Sequence, residues 1–523
     1  MLVLVFRAVI LAPETPRSGG AYTEGLVGEI APLNPLFATE TSTVSDVNAL
    51  LFEPLVRVLP SGQVEPVLAA RWDISPDLRS YTFALRADAR WSDGSPVTPD
   101  DVVFTVRTVQ DTQFPGAVLN ASWKDIIATA IDGSHVRFAL PGKNAGFMAT
   151  LELLDIVPGH LLGGRSIAEL AAQAQTLNPV GTGPFRLTKR LPDRLLLERN
   201  PFAWRKPWLD SIVLRTFSSQ DAALDALDRG QIDGIANLST GGLARVGRNH
   251  QVALYSASTY EYAELILNLR PDAPLFQDVQ VRKAIAMAVD KRAVIQDTLQ
   301  GQAHIEDGPI PHAITWAYDA ATAPPTYDPV AAGKLLDADG WLVQSNGVRA
   351  KNGAPLAFNL TVSADLSPYE RVAQKVASDL SRVGIDASVQ PVSTAALIHD
   401  YLSPRTFDVV LTAFDNGPDP DVFAFWHSSQ EHPGGFNFTS MKRNVFIDKY
   451  LEDGRSALDL PTRVAAYNSL QEQFAKDVPA VYLYSPIFNF AVDRRIHGLR
   501  LDSAVEPPDR FAHVNDWYVE VGR

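Results

Sequence analysis

Residues 264–301, ELILNLRPDAPLFQDVQVRKAIAMAVDKRAVIQDTLQG, contain the pattern that decides the fold, because one strand is followed there by two helices. The apolar run of residues 262–269 predicts the strand, and the prolines after it end it, since proline has no amide to donate to a sheet. Asp278 and Asp290 each precede apolar residues at helical spacing and are expected to cap the two helices. Gly301 is expected to end the second helix. The sequence therefore predicts that the chain passes here from one large lobe into another.

An alternation of strand and helix continues beyond this stretch. Residues 356–362 and 407–414 are apolar runs of strand length, and residues 369–383 between them carry apolar positions at helical spacing. This order of elements predicts a partly parallel sheet, in which ligands bind at the carboxyl ends of the strands. Asp415 directly follows the second run and is therefore expected at such an end.

A smaller unit precedes these elements. Apolar residues alternate over residues 81–85, as in a strand with one buried face. Thr98 is followed by a proline and then by Asp101, which predicts a capped helix that begins at the proline. Trp91 and Asp93 lie in the turn before this helix and are interpreted as a packed aromatic side chain and a turn former rather than as a site.

The composition excludes several classes of protein. The net charge of -14 argues against a nucleic-acid partner, since phosphate binding requires clustered Lys and Arg. No run approaches the roughly 20 apolar residues of a membrane-spanning helix. The absence of cysteine excludes a disulfide scaffold and thiolate metal ligands, and the histidines of HSSQEH (residues 427–432) do not have zinc-protease spacing. We expect no metal and no cofactor.

A hydrolase is the alternative from a different functional class. The chain has no Gly-x-Ser-x-Gly elbow. Serine, histidine and aspartate residues scattered through a sequence cannot be assembled into a triad without a structure. The sequence therefore favours a protein that is not an enzyme.

The N-terminal residues have the composition of an export signal. Residues 1–11, MLVLVFRAVIL, are apolar apart from Arg7, and a proline and small-residue stretch follows up to residue 20. This pattern indicates the remnant of a signal or anchor, with a misplaced start codon as the alternative. No cysteine follows for a lipid anchor. We expect an extracytoplasmic location, periplasmic or at the outer face of the cell membrane.

Several strings of residues occur together, in one order, over about residues 21–500. They are residues 91–104 (WSDGSPVTPDDVVF), 179–185 (PVGTGPF), 230–234 (GQIDG), 274–291 (PLFQDVQVRKAIAMAVDK) and 407–421 (FDVVLTAFDNGPDPD). With Asn268 before the fourth string, this pattern resembles the peptide/nickel class of extracytoplasmic solute-binding proteins that serve ABC importers, solute-binding protein family 5.

The resemblance implies an α/β fold of two lobes, an enlarged type II periplasmic-binding-protein-like fold with an extra small domain inserted in the first lobe. Residues 1–20 would be the signal remnant and linker. Lobe I would comprise residues 21–56, 178–268 and 490–523, the inserted domain residues 57–177, and lobe II residues 269–489. The run AVYLYSPIFNFAV, residues 480–492, is expected to bring the chain back to lobe I as a second hinge strand.

The resemblance also implies a function. The protein would be a monomer that captures an oligopeptide or dipeptide in the cleft between the lobes and delivers it to the permease subunits of an ABC transporter. A nickel complex, a sugar or another small polar solute remains an open alternative for the ligand.

The loop of residues 415–421, DNGPDPD, is the candidate site. Its three carboxylates are compatible with an acidic turn, a cation site or an anchor for an ammonium group, but its prolines do not fit the register of a calcium loop. By resemblance, Asp415 holds the α-amino group of a peptide. The further expected contacts are Asn416, Phe414, Trp426, Asn268 and Thr41. Many peptide-binding relatives carry Gly-Trp shortly before this aspartate, where Leu411 and Thr412 stand here.

Overall fold

The computed structural model of the chain describes residues 17–29, 33–37, 42–174, 178–322, 324–366, 368–441, 444–503 and 505–519. Residues 1–16, which hold most of the predicted export signal, and the candidate site residue Thr41 lie outside the described residues. Within the described ranges, none of the helices combines the length and the apolar character that crossing a membrane requires.

The strands are numbered in chain order. They are β1 (Ala21–Val27), β2 (Val56–Val58), β3 (Val64–Pro66), β4 (Ala69–Ile74), β5 (Ser80–Leu85), β6 (Ile127–Ala130), β7 (His135–Ala139), β8 (Phe185–Leu191), β9 (Arg194–Arg199), β10 (Ser211–Phe217), β11 (Gly234–Ala236), β12 (Val252–Ser258), β13 (Glu261–Leu267), β14 (Ala303–Ile305), β15 (Leu342–Val343), β16 (Arg349–Lys351), β17 (Ala354–Pro355), β18 (Ala357–Ser363), β19 (Asp386–Val392), β20 (Val409–Asp415), β21 (Ala480–Asp493), β22 (Ile496–His497) and β23 (Tyr518–Val519).

The α-helices are numbered in the same way. They are α1 (Ser42–Leu51), α2 (Pro99–Gln110), α3 (Ala117–Trp123), α4 (Phe147–Glu152), α5 (Gly159–Leu162), α6 (Ile167–Ala174), α7 (Gln220–Asp228), α8 (Thr240–Val246), α9 (Val279–Ala288), α10 (Lys291–Leu299), α11 (Pro329–Ala338), α12 (Tyr369–Ser381), α13 (Thr394–Ala396), α14 (Phe423–Trp426), α15 (Val445–Ser456) and α16 (Leu460–Asp477). Short 3-10 helices cover Pro274–Gln277, Ser428–Gln430, Pro507–Phe511 and Val514–Asp516, and a π-helical turn covers Leu397–Leu402.

One large mixed sheet runs through the molecule. Its strand order is β19-β18-β20-β13-β21-β11-β1-β10-β9-β8, and β12 and β14 also pair with β21. The two predicted strands and the helix between them are confirmed as β18, β20 and α12, and β18 pairs in parallel with both β20 and β19, the strand that follows α12. A separate antiparallel sheet, β4-β5-β7-β6, lies within the predicted inserted domain.

Strand β21 is shared by the two halves of the large sheet. Its first residues pair with β13, and from Ile487 onward they pair with β12. Strands β12 and β13 follow one another along the chain with only Thr259 and Tyr260 between them. The predicted strand over AVYLYSPIFNFAV is thus confirmed, and two chain segments cross between the halves at the same place.

The lobe boundaries stay predictions, and one of them needs adjustment on the pattern of strand pairing. Strand β13 lies between β20 and β21 rather than among the strands that follow the N-terminus. We therefore propose that the chain enters lobe II at Thr259 and Tyr260 instead of after residue 268.

Each half has its own hydrophobic core. One core joins lobe I and the inserted sheet, with residues as far apart in sequence as Leu50, Phe138 and Trp517 in a single cluster. The other packs α9, α10 and α12 on the sheet of lobe II, with Ile285 and Val376 among its fully buried members. The two largest of the apolar clusters therefore lie on opposite sides of the crossing, as rigid-body motion of the lobes requires.

The helix caps predicted from the sequence are confirmed. The Asp278 carboxylate accepts from the amide of Gln280 at 2.9 Å, and the Asp290 carboxylate accepts from the amide of Ala293 at 2.9 Å. In the inserted domain, Asp101 accepts from the Thr98 amide at 2.8 Å and so caps α2.

The packing role of Trp91 and the turn-forming role of Asp93 are also confirmed. Trp91 is fully buried, and its indole nitrogen donates to Asp101 at 3.3 Å. The carboxylate of Asp93 accepts from the backbone amide of Ser95 at 2.9 Å, as a turn former does.

A fully buried arginine ties the C-terminal segment to lobe I. Arg510 donates to Glu24 of β1 at 3.1 Å and to Asp46 of α1 at 2.5 Å. Burial raises the pKa of Glu24 to about 7, and the charge of Arg510 opposes that rise. Arg510 pairs with both carboxylates, so the removal of its guanidinium group leaves two buried acidic groups without their partner.

Arg510→Met is expected to lower the free energy of unfolding by about 3–5 kcal/mol, because Glu24 and Asp46 then remain buried without a cation. Urea denaturation measures this loss. Arg500→Met is the matched control, since the ion pair of Arg500 with Asp516 is exposed and is expected to contribute less than about 1 kcal/mol. Equal losses of unfolding free energy in Arg510→Met and Arg500→Met would contradict the role of Arg510 as a buried counter-charge.

Candidate functional site

Two carboxylates lie side by side at the edge of lobe II. Asp415, the last residue of β20, is the register partner of Glu261, the first residue of β13. Directly opposed residues of an antiparallel pair point to the same face, with Cβ atoms about 5 Å apart. Burial raises the pKa of Glu261, and the charge of Asp415 raises it further. The Tyr369 hydroxyl donates to Glu261 at 3.2 Å.

A third carboxyl group approaches from lobe I. Glu506 precedes the 3-10 helix Pro507–Phe511, whose Arg510 is anchored in the core of lobe I. Burial raises the pKa of Glu506 well above its ordinary value, and the nearby carboxyl group of Asp415 raises it further. Asp415 therefore lies where the two lobes face each other.

The lobes touch across this cleft. The Ala145 amide of the inserted domain donates to the Arg455 carbonyl of lobe II at 2.7 Å. Gly62, also in the inserted domain, lies so close to Trp316 that an added Cβ would stand 3.0 Å from the indole nitrogen. The structure is thus a closed form, in which the groups at the cleft are held together.

The three carboxylates of the loop 415–421 differ in their surroundings. Asp419 pairs with Arg463 at 2.7 Å, and Asp421 pairs with Arg455 at 2.7 Å. Asp415 is exposed and accepts from the Gly417 amide at 2.7 Å, but it has no basic partner within the described part of the chain. Of the three, Asp415 is therefore the one without an ion pair among the described residues.

Two further predicted residues flank Asp415. Asn416 is half-buried, and its side-chain NH₂ group has no hydrogen-bond partner among the described residues. Phe414 lies on the opposite face of β20 by strand alternation and packs on Phe425 with ring centroids 4.6 Å apart. The structure thus brings Asn416 to the site, and Phe414 forms part of the packing behind it.

The structure corrects two other expected contacts. Asn268 lies beyond the far end of β13, roughly 20 Å from Asp415 by strand rise, and its side chain donates to the Phe407 carbonyl at 2.6 Å. Trp426 is 2% exposed and packs edge-on against Phe474 in the core of lobe II. Both side chains are structural, because their polar or aromatic surface is already used inside the lobe.

Sequence reasoning missed Glu261 and Glu506. Glu261 begins an apolar strand, and a charged residue at the end of such a strand is a weak signal of a site. Glu506 follows a segment without any recognisable motif, and only the anchoring of the C-terminal segment brings it to the cleft.

The alternative hypotheses of an enzyme and of a metal site can be compared with the geometry. Ser258, His312 and Glu306 lie in line, with 3.3 Å from serine to histidine and 2.5 Å from histidine to glutamate, in the order of a catalytic triad. The line continues to β21, because Glu306 also accepts from the Ser485 hydroxyl at 2.7 Å. It thus joins the end of β12 to β21 beside the crossing of the two segments, which supports a structural role. The described residues contain no group of three or more His, Asp or Glu suited to a metal ion.

A carboxyl group without a counter-charge is buried on β13. Glu264 is 1% exposed, and burial alone raises its pKa to about 8. One of its oxygens and the hydroxyls of the neighbouring Tyr262 and Tyr482 have no hydrogen-bond partner among the described residues. Ionisation of Glu264 in the folded protein is therefore unfavourable.

Glu264→Gln is expected to stabilise the protein increasingly between about pH 5 and pH 8. The folded-state pKa is raised above the unfolded one, so the carboxyl group ionises in the unfolded chain first and this lowers stability as pH rises. The gain should be small at pH 5 and on the order of 3 kcal/mol at pH 8. Thermal unfolding at both pH values measures it.

Glu65→Gln serves as the control for this variant, since Glu65 is exposed on β3 and its replacement should give no such pH-dependent gain. A gain from Glu264→Gln that is equal at pH 5 and pH 8 would show that Glu264 does not carry a raised pKa.

The comparisons with known proteins all point to one protein family. Residues 63–435 match the family model described as bacterial extracellular solute-binding proteins, family 5 Middle. The oligopeptide-binding protein AppA of Bacillus subtilis is 24% identical over 516 residues, covering 96% of this chain and 92% of that protein. Its structure in complex with a nonapeptide superimposes with a TM-score of 0.77 at 23% identity, covering 97% and 100% of the two chains, and so agrees in fold.

Two further relatives differ in the ligands that their names state. The di/tripeptide-binding protein 2 of Pseudomonas aeruginosa is 27% identical over 532 residues, with 96% of each chain covered. The nickel-binding periplasmic protein of Escherichia coli is 26% identical over 471 residues, covering 87% of this chain and 86% of that one.

Proposed function

The chain belongs to family 5 of the bacterial extracellular solute-binding proteins, and on that premise we propose that it captures oligopeptides or dipeptides for an ABC transporter. Two relatives that are named as peptide-binding proteins support this ligand class, and each of them matches this chain over nearly its whole length. The observation that carries the proposal is Asp415, an acidic side chain at the cleft whose neighbours Asp419 and Asp421 are paired with arginines while it is not.

The ligand acts by holding the lobes together. In the closed form, Asp415 of lobe II faces Glu506 of lobe I, and burial and the charge of Asp415 raise the pKa of Glu506 well above its ordinary value, so the two groups are not both ionised without a cation. The α-amino group of a peptide between them allows both groups to ionise and forms charge-assisted hydrogen bonds, which are stronger than bonds between neutral groups. Ligand binding therefore shifts the population towards the closed form, which the permease subunits distinguish from the open one.

The remaining parts of the proposal concern location and assembly. The protein works as a monomer outside the cytoplasm, and the apolar N-terminal segment is the signal that directs its export. A nickel complex is the second candidate ligand, favoured by the nickel-binding relative. Native mass spectrometry of protein purified without added metal separates the two, since a co-purified peptide and a nickel complex differ in mass.

Asp415→Asn is expected to weaken binding of a peptide with a free amino terminus by roughly 1.5–3 kcal/mol, the usual contribution of a hydrogen bond to a charged group. The variant keeps the shape of the side chain and removes its charge. Calorimetric titration with trialanine measures the change, and N-acetyl-trialanine is the control ligand because it carries no ammonium group and should bind weakly to both proteins.

The melting temperature should hardly change in Asp415→Asn, because the side chain is exposed and supports little of the core. Unchanged peptide affinity together with a lowered melting temperature would instead make Asp415 a turn-capping residue through its bond to the Gly417 amide.

Ligand binding is expected to reduce the radius of gyration. Two segments, β21 and the link between β12 and β13, join the lobes, so the empty protein can open by rotation about them. Small-angle scattering with and without saturating trialanine measures the difference. Identical curves at a concentration where calorimetry shows saturation would count against closure as the consequence of binding.

A further inference from the structure

A short helix of the inserted domain lies along the candidate ligand loop. Gly146 precedes α4, and a Cβ added to it would stand 3.1 Å from the Oδ1 atom of Asp419. Leu153 follows α4, and its Cδ2 atom lies 4.0 Å from the position of a Cβ added to Gly417. Gly417 and Asp419 both belong to the loop 415–421, so the residues at the two ends of α4 contact this loop at two points.

The apolar core fixes α4 to lobe I. Phe147 of α4 is fully buried, and its ring centroid lies 5.0 Å from that of Tyr81 in β5 and 5.4 Å from that of Phe138 in β7. These three side chains belong to the same apolar cluster as residues of β1 and α1. Leu153, in contrast, is 57% exposed and points away from that core towards the loop. A helix packed in this way moves together with lobe I.

The opposite surface of lobe II is held in place by one buried arginine. Arg463 is 8% exposed and donates to both carboxylate oxygens of Asp419, at 2.7 and 3.0 Å. Its guanidinium group also lies 5.0 Å from the ring centroid of Trp316, against which Gly62 of the inserted domain packs. The positions of lobe II that meet Gly62 and Gly146 are therefore both supported by Arg463.

A backbone hydrogen bond completes the contact between the two sides. The Ala145 amide donates to the Arg455 carbonyl at 2.7 Å. Rotation of the lobes about the crossing strands would break this bond after a movement of about 1 Å. None of the contacts described here includes Asp415. They therefore hold the lobes together without the residue that the proposed function assigns to the ligand.

We propose that α4 and its neighbours form a clamp, comprising Gly62, Ala145, Gly146 and Leu153, that stabilises the closed form by contacts the ligand does not make. Release of a bound ligand requires opening, so the population of the closed form scales the affinity for every ligand. The clamp therefore sets the affinity and the dissociation rate by one common factor and leaves the choice between ligands to the cleft. The inference rests on the proposed function only where it concerns peptide affinity.

Gly146→Leu tests the clamp because it adds a side chain where Asp419 lies in the closed form. The backbone of Gly146, with φ -79° and ψ 2°, is open to residues with side chains. Gly142→Leu is the matched control, since a Cβ added to that exposed glycine meets nothing within 4 Å beyond its neighbours in the chain. Calorimetric titration and stopped-flow displacement are performed with trialanine and with trileucine.

We expect Gly146→Leu to weaken both peptides by the same factor of about ten and to speed their dissociation to match, because overpacking acts on the closed form alone. Gly142→Leu should change neither quantity. Unchanged affinity and dissociation in Gly146→Leu would overturn the inference. A loss confined to one peptide would also overturn it, since Gly146 would then be a ligand contact.

Leu153→Ala keeps the test decisive if Gly146→Leu does not fold, because it only shortens an exposed side chain. It should weaken both peptides by about three-fold through the lost contact with Gly417. Leu161→Ala is its control, since Leu161 is an exposed leucine on α5 of the same domain. Equal affinities in Leu153→Ala and Leu161→Ala would contradict the clamp.

A cysteine pair measures closure without any ligand, since the chain has no cysteine of its own. The hydrogen bond between Ala145 and Arg455 keeps their α-carbons within about 6.5 Å, inside the range that a disulfide spans. The empty double variant Ala145→Cys with Arg455→Cys should form the disulfide when treated with diamide. Added Gly146→Leu should slow this reaction by at least about three-fold, and added Gly142→Leu should not. Equal rates, or no disulfide in any of these proteins, would overturn the inference.

The two readouts separate the clamp from the proposed function. If neither peptide binds to the original protein while Gly146→Leu still slows the cross-link, the clamp is supported and the peptide part of the proposed function fails. If trialanine binds and neither its affinity nor the cross-linking rate responds to Gly146→Leu, the proposed function stands and the clamp is wrong.

Discussion

The continuous pairing of β21 is the constraint on which the rest of the structure depends. Its residues Ala480–Asp493 pair with β13 and β14 in lobe II and with β12 and β11 in lobe I. The change of partners occurs around Pro486, a residue that has no amide to donate and is therefore tolerated where the ladder changes. The lobes can rotate about this point while each half of the strand keeps its own hydrogen bonds.

The position of the hinge decides which charges meet. Glu261 and Asp415 stand at the end of the lobe II sheet nearest to the crossing, and Glu506 follows the segment that Arg510 holds in lobe I. Closure therefore brings carboxyl groups of both lobes together, which is unfavourable unless a proton or a cation lies between them. On the proposed function, a cationic ligand between these groups would favour the closed form.

The sequence predicts local structure correctly, but it does not predict contacts between distant parts of the chain. The caps at Asp278 and Asp290 and the buried role of Trp91 follow from a few neighbouring residues, because a cap depends on the next turn of helix. Asn268 was placed at the site because it belongs to a recognisable string, yet membership of a motif does not say which end of a strand faces the cleft. A tryptophan such as Trp426 can line a ligand site or pack in a core, and only its packing in the structure distinguishes the two.

The sequence by itself determined the secondary structure around the crossing, the alternation that produces a partly parallel sheet, the resemblance to a binding-protein family and Asp415 as a candidate. The tertiary structure alone decided that Arg463 and Arg455 neutralise Asp419 and Asp421, whereas Asp415 has no basic partner among the described residues and has Glu506 opposite to it. The physical reason is that an ion pair depends on distance in space, and the partners of these carboxylates come from distant parts of the chain that only the sheet order and the closed cleft bring together.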